Sequence, residues 1–149
     1  MQLVRIFVKI TGNKIIHTIE EAEKTGPSNQ YDACIVAPAT ATFISKLNQG
    51  IYDDPTLLSV KSMLRNQKEL ILAIASNDFL GNSSVNLFQL IQKKHIYLTP
   101  VYQDDPIHKP NSLISRFDLI EETFNAALKQ VQIQPLLTMK KGENILTHK

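Results

Sequence analysis

The sequence has no tryptophan, one cysteine and five glycines in 149 residues. A single cysteine excludes an internal disulfide framework and a cysteine-built zinc site. The longest uninterrupted apolar run, Leu70–Ala75, is six residues, far short of the roughly 20 that span a bilayer. The apolar N-terminus is broken by Arg5 and Lys9, so no signal-peptide core forms. Charge of neither sign dominates: 16 Lys plus Arg against 14 Asp plus Glu leave +2, without the strongly basic balance of a nucleic-acid domain. His17, His95, His108 and His148 include no i,i+4 pair, so no metal is expected. G-x-S-x-G, Walker A and G-x-G-x-x-G are missing too, which removes the commonest hydrolase, nucleotide and dinucleotide signatures. What remains, 43% hydrophobic and 20% charged, suits one soluble, cytoplasmic domain with neither a membrane nor a nucleic-acid partner.

Buried strands alternating with helices are the clearest pattern. Ala33–Ala37 is an apolar run closed by Pro38, which predicts a strand buried on both faces. Ile44 and Leu47 follow at helical spacing, with Gly50 as the helix stop. Asp54-Pro55 supplies an N-cap and a first-turn proline, and Leu57, Val60 and Leu64 carry that helix to Asn66. Leu70–Ala75 is a second buried strand, ending in Ser76-Asn77-Asp78. Val85, Phe88 and Ile91 predict a helix over 85–93. A third strand at Ile96–Leu98 is closed by Pro100, and Gln103–Asn111 is a polar loop. Leu113, Phe117, Ile120, Phe124 and Leu128 predict an amphipathic helix over 112–130. The fold expected is α/β, a three-layer parallel sheet covered on both faces.

Such a sheet binds ligands at the C-terminal ends of its strands, which points to Pro38–Thr42 and Ser76–Asp78. A turn of small residues and hydroxyls leading into a helix N-terminus suits a phosphate or an anionic ring edge. It equally suits a helix cap with tight packing around it. Asn77 carries donors and an acceptor that could read a planar ring, and Asn and Asp also favour turns for local reasons. Cys34, inside a buried strand, is expected to be structural. Asp104-Asp105, in a proline-flanked loop, is expected to be a solvated turn.

Ala37-Pro38-Ala39-Thr40-Ala41-Thr42, with Ile44, Lys46-Leu47, Gly50-Ile51 and Asp53-Asp54, resembles the A-P-A-T-A-N-T-x-x-K-L-x-x-G-I-x-D-D block. That block belongs to flavoproteins of the phosphopantothenoylcysteine decarboxylase type. Leu64–Lys68, Ser76–Asp78, Val85–Leu87, Lys94–Tyr97, Lys109–Ser112 and Gln132–Pro135 resemble, more specifically, the B subunits of dipicolinate synthase. The resemblance implies a flavodoxin-like (Rossmann-like) domain that binds FMN, with Pro38, Ala39, Thr40, Thr42, Ser76 and Asn77 beside the isoalloxazine ring. It also implies homo-oligomers and a partner, the dipicolinate synthase A subunit, with a pyridine-nucleotide domain. The reaction implied is oxidation of a dihydrodipicolinate or hydroxytetrahydrodipicolinate intermediate to dipicolinate for the developing spore. Removing hydride to aromatise a ring calls for a redox cofactor and no covalent nucleophile. Catalytic residues stay unassigned.

Three departures from the family shape the remaining expectations. Roughly fifty residues holding a first strand and a T-G-S phosphate loop are missing by comparison with family domain size. The domain is therefore expected to be residues 1–137, N-terminally incomplete and lacking the first strand or strands, with a frayed tail over 138–149. A sheet edge should then lie open. Val4–Ile10 could instead serve as the first strand with Thr11-Gly12-Asn13 as the phosphate loop, or belong to a later connector. Second, the family's Asn is Thr42 here, and Phe43 replaces a hydroxyl residue. Third, the decarboxylases use a His close before the buried strand, whereas His17 lies well ahead of it, so decarboxylation is disfavoured. FMN is accordingly expected to bind this chain weakly or not at all. The alternatives are a non-catalytic assembly module and an FMN-dependent decarboxylase.

Overall fold

The structure, a computed structural model, describes residues 2–140; of the expected frayed tail, residues 141–149 lie outside that range. Three helices come first: α1 (Gln2–Thr11), α2 (Ile19–Glu23) and α3 (Thr25–Ser28). An alternating unit follows, with β1 (Ala33–Ala39), α4 (Ala41–Gln49), α5 (Pro55–Arg65), β2 (Glu69–Ser76), α6 (Ser84–Leu90) and β3 (Ile96–Leu98). The chain closes with β4 (Val101–Tyr102), β5 (Leu113–Ser115), a 3-10 turn (Phe117–Leu119) and α7 (Ile120–Ala127).

The helices start and stop where local chemistry directs. Thr40 caps α4 by accepting from the Phe43 N–H at 3.2 Å. Asp54 caps α5 by accepting from Leu57 at 2.9 Å, with Pro55 in the first turn. Gly50 ends α4 in the left-handed conformation, φ +72°, which costs glycine little.

Strand β2 is the axis of the sheet. It pairs in parallel with β1 on one side and with β3 on the other, Ile71 lying between Ile35 and Tyr97. Leu70, Leu72 and Ile74 face the main core with Ile44, Leu47, Leu57, Val60, Leu87 and Leu90 of α4, α5 and α6. Ile71 and Tyr97 face Ala127 and Phe124 of α7. Helices therefore cover both faces of the sheet, as the α/β pattern requires.

Four local expectations are corrected. Residues 113–115 are a strand rather than the start of a helix. β5 runs antiparallel to the last residues of β2, and β4 pairs antiparallel with β5, so the sheet is mixed. Leu113 and Ser115 are buried with Ile114 between them more exposed, and this period of two was masked by the spacing of Phe117, Ile120 and Phe124. Helix α7 begins at Ile120 and ends at Ala127, and Phe117 is 38% exposed. In α6 the buried residues are Leu87 and Leu90, while Val85 and Phe88 are 59% and 42% exposed. Strand β1 is an edge strand: among the described residues it pairs with β2 alone, and Ile35 is 43% exposed. Residues 4–10 are helical, because Leu3, Ile6, Phe7 and Ile10 recur at helical spacing beneath their β-branched composition.

Candidate functional site

Because β1 and β2 are parallel neighbours, their C-terminal ends lie side by side, with Ala39 in register with Ile74. The two segments singled out in the sequence are thereby brought together. Ala39 is fully buried and anchors the first turn. Pro38, Thr40 and Thr42 stand exposed around it, and the Ala37–Pro38 bond is cis. The Thr40 hydroxyl accepts from Phe43, which leaves its hydrogen available to a ligand. Helix geometry leaves the first N–H groups of α4, those of Ala41 and Thr42, without intrahelical acceptors. They form an electropositive ledge at the helix start.

The second turn is held by its own contacts. Ser76 Oγ accepts from the Asp78 N–H at 3.2 Å. Asp78 Oδ2 accepts from both the Ser83 N–H (3.1 Å) and the Ser83 hydroxyl (2.6 Å). A Cβ on Gly81 would collide with Asp78 Oδ1, so glycine is needed for this close approach. Phe79, wholly buried, pins the loop to the core. Asn77 is exposed on this rigid support, its side chain without a hydrogen bond among the described residues. Position fixed and amide free is what reading a ligand edge requires.

A third segment, which the sequence offers for its family likeness but not as a site, joins the ledge. Strand β5 delivers Leu113 opposite Ser76, and the Asn111 carbonyl accepts from the Leu80 N–H at 2.9 Å. The signal for Asn111 was present in the Lys109-Pro110-Asn111-Ser112 motif, but its arrival depends on a strand hidden within an apparent helix.

Other candidates fall away from the ledge. Asp104 and Asp105 do not act as a carboxylate pair. Asp104 accepts from the Ser112 hydroxyl and lies 3.9 Å from Lys109. Asp105 accepts from the His108 backbone and ring, and the backbone bond first holds its carboxyl below the ordinary value. His17 is exposed, its N–H bonded to Glu21. Burial pushes the Cys34 thiol up to about 11, which keeps it protonated and inert at neutral pH.

The donor set fits one part of FMN. Two hydroxyls, two helix N–H groups and a free amide around a small-residue turn suit the polar edge of a flavin ring. The phosphate is different. Thr11-Gly12-Asn13, the alternative phosphate loop, sits at the C-terminal end of α1. There the Gly12 N–H is spent on the Val8 carbonyl (2.9 Å) and the Asn13 N–H on Thr11 Oγ1 (3.2 Å). A helix C-terminus presents partial negative charge, which repels an anion. Among the described residues, no loop of converging N–H donors faces the ledge from that segment.

No helix of the described residues is long and apolar enough to cross a membrane. The chain is 39% identical over 128 residues to the B subunit of dipicolinate synthase from Bacillus subtilis (strain 168). That match covers 86% of this chain and spans 64% of the relative's length. The crystal structure of the dipicolinate synthase B subunit from Bacillus halodurans superposes with a TM-score of 0.90 at 36% identity, covering 93% of this chain and 71% of that one. The structure of an FMN-dependent cysteine decarboxylase, SpaF, matches with a TM-score of 0.63 at 20% identity, over 85% of this chain and 70% of that one. That last likeness is one of fold. The Flavoprotein family profile matches residues 1–132, and the chain belongs to the flavoprotein family.

Proposed function

We propose that this chain is the B-type component of a dipicolinate synthase, with the ledge of Pro38–Thr42 and Ser76–Asn77 as the seat of a flavin ring. The juxtaposition of these two turns at the paired ends of β1 and β2 supports the reading, together with the likeness to two B subunits over most of the chain. Asn77 and the hydroxyls of Thr40 and Thr42 would hold the polar ring edge by hydrogen bonds, and the first N–H groups of α4 would favour negative charge there. When bound, a flavin supplies a two-electron acceptor. A bound flavin would meet the need of aromatising a dihydropyridine dicarboxylate, an oxidation that removes a hydride and a proton. The partner is the A-type component that carries the pyridine nucleotide, and the setting is spore formation in the cytoplasm.

FMN supports a direct test. The purified 149-residue chain is expected to lose FMN on desalting, because the ledge grips the ring and not the phosphate. With excess FMN present, the flavin absorption bands should shift, and Asn77→Ala should abolish the shift. A chain preceded by a family-like strand and phosphate loop should remain yellow through desalting. Bands that stay those of free FMN at every concentration would favour the second reading, an assembly module without catalysis. That second reading is supported by the missing phosphate donors at Thr11–Asn13. A decarboxylase is disfavoured by Ser76-Asn77-Asp78 in place of P-A-M-N and by the remote His17.

A further inference from the structure

Parallel α/β sheets bind ligands at the C-terminal ends of their strands, and the ledge sits there. A second cavity lies at the opposite pole, where β2 and β3 begin. Glu69 and Ser76 stand at the two ends of β2, roughly 23 Å apart along the strand, so the two places are separate. The cavity holds about 270 Å³, and Ile91, Lys94, His95, Ile96, Gln130 and Leu136 are among its walls. That volume falls just short of the roughly 300 Å³ at which drug-sized pockets begin, so its occupant is small. Two stretches of family likeness that the ledge leaves unused, Lys94–Tyr97 and Gln132–Pro135, contribute to it.

Glu69 backs the His95 ring. It is 7% exposed and meets His95 Nδ1 with both oxygens, at 3.1 and 3.2 Å. A carboxylate accepts, so Nδ1 carries the hydrogen. Nε2, across the ring, has no partner among the described residues. Tyr97 also bonds Glu69, and burial, then that carboxylate, raises its hydroxyl above the ordinary value. Glu69 is thereby spent, and among the described residues no carboxylate lines the cavity itself. Cations do line it. Lys93 is bonded to Asn48 at 3.2 Å, whereas the side chains of Lys94 and Gln130 have no partner among the described residues. His95 and Gln130 both hold left-handed backbone, φ +65° and +59°, a conformation that is costly without glycine and gathers at ligand sites.

Lysines beside helix C-termini often do no more than offset the dipole, and α6 and α7 both end here. Their last carbonyls are already occupied, however. Leu90 accepts from the Lys93 N–H (2.9 Å), Ala126 from Lys129 (2.9 Å) and Val131 (3.0 Å), and Ala127 from Gln130 (2.7 Å). The Lys94 ammonium and the Gln130 amide are therefore surplus to capping, and they border apolar Ile91, Ile96 and Leu136. We propose that this cavity is a second ligand site, taking a small carboxylate with a flat apolar body. Lys94 and Gln130 receive the carboxylate beside the His95 ring, and Ile91, Ile96 and Leu136 cover the body. A bare inorganic anion would leave that apolar wall wet. The inference does not depend on flavin.

The test is calorimetric titration of the purified 149-residue chain with pyridine-2,6-dicarboxylate, a flat ring carrying carboxylates. Saturable binding of one molecule per chain is expected, with hydrogen exchange slowed at residues 93–96 and 130–132. Lys94 is exposed, so Lys94→Gln should leave the melting temperature unchanged. It should weaken binding at least about tenfold, the scale of one lost hydrogen bond to a charged group. The FMN band shift should be the same in Lys94→Gln as in the unaltered chain. Inorganic phosphate should bind more weakly than the dicarboxylate. No saturable binding would overturn the proposal, as would binding that Lys94→Gln does not move. Protection centred on Asn77 would overturn it too, by placing the probe on the ledge. Phosphate binding as tightly as the dicarboxylate would overturn the assignment of a flat apolar body.

Discussion

Two strands with nearly the same sequence character have opposite fates. Ala33–Ala37 and Leu70–Ala75 are both uninterrupted apolar runs. In β2 every residue from Glu69 to Ile74 is buried, with even positions against α4, α5 and α6 and Ile71 against α7. In β1 only Val36 and Ala39 are. An apolar run reports the environment a strand is built for, and its neighbours decide whether that environment is present. Among the described residues β2 has strand neighbours on both sides, whereas β1 has one.

The largest effect that sharpens this comparison is in stability. Leu72 is wholly buried, so Leu72→Ala should cost about 2–5 kcal/mol. Ile35 keeps nearly half its surface in water, so Ile35→Ala should cost less than about 1 kcal/mol. Urea unfolding midpoints at constant m would measure both. Equal losses would mean that β1 is covered in solution. Phe124, half-buried under β2, lies between them: full burial would make its truncation cost about 3–5 kcal/mol, and its partial exposure lowers the expectation to about 1–2 kcal/mol.

The ends of the two strands differ as well. The turn after β1 is held by the Thr40 cap, and Thr40→Ala should cost about 1 kcal/mol. The turn after β2 hangs on Asp78, whose carboxylate takes two bonds from Ser83. Asp78→Ala should cost about 1.5–3 kcal/mol, as for hydrogen bonds to a charged group. It should also speed amide exchange at Gly81 and Ser83 with little effect at Phe43. The reverse pattern would show that α4, and not the Asp78 loop, organises the ledge.

The parallel strands and the capped helices were legible in the sequence because each rests on local signals: β-branched runs, Thr40, Gly50 and Asp54-Pro55. Pro38–Thr42 and Ser76–Asn77 were legible as candidates because the fold class places strand C-termini together. Strand β5 was not, since three residues with a period of two cannot compete with a longer helical spacing that overlaps them. An open sheet edge was expected from the family comparison, but the strand that forms it was not legible, because the apolar run Ala33–Ala37 has the composition of a strand buried on both faces. Residues 4–10 misled in the opposite sense: Val4, Ile6, Val8 and Ile10 have strand composition, yet Ile6, Phe7 and Ile10 recur at helical spacing. Asn111 could be placed only once β5 was known to run beside the end of β2.

The smallest effect concerns Cys34, which lies on the α5 side of the β1 edge. Burial raises its thiol to about 11 from an ordinary value of 9.0. Below pH 9 both folded and unfolded chains hold the thiol protonated, so it adds no pH dependence there. Between about 9 and 11 the unfolded chain releases its proton first, so stability falls across that window and levels above it. Cys34→Ala should flatten this fall without shifting the neutral-pH midpoint by more than the loss of a small half-buried group. At pH 8 a thiol shifted this far has about a hundredth of the usual thiolate fraction, and only the thiolate is alkylated. Iodoacetamide should therefore label Cys34 at least about tenfold more slowly in the folded chain than in urea. A rate equal to that of the unfolded thiol would show that β1 detaches readily from β2. The edge strand would then be a mobile element of the sheet rather than a fixed border.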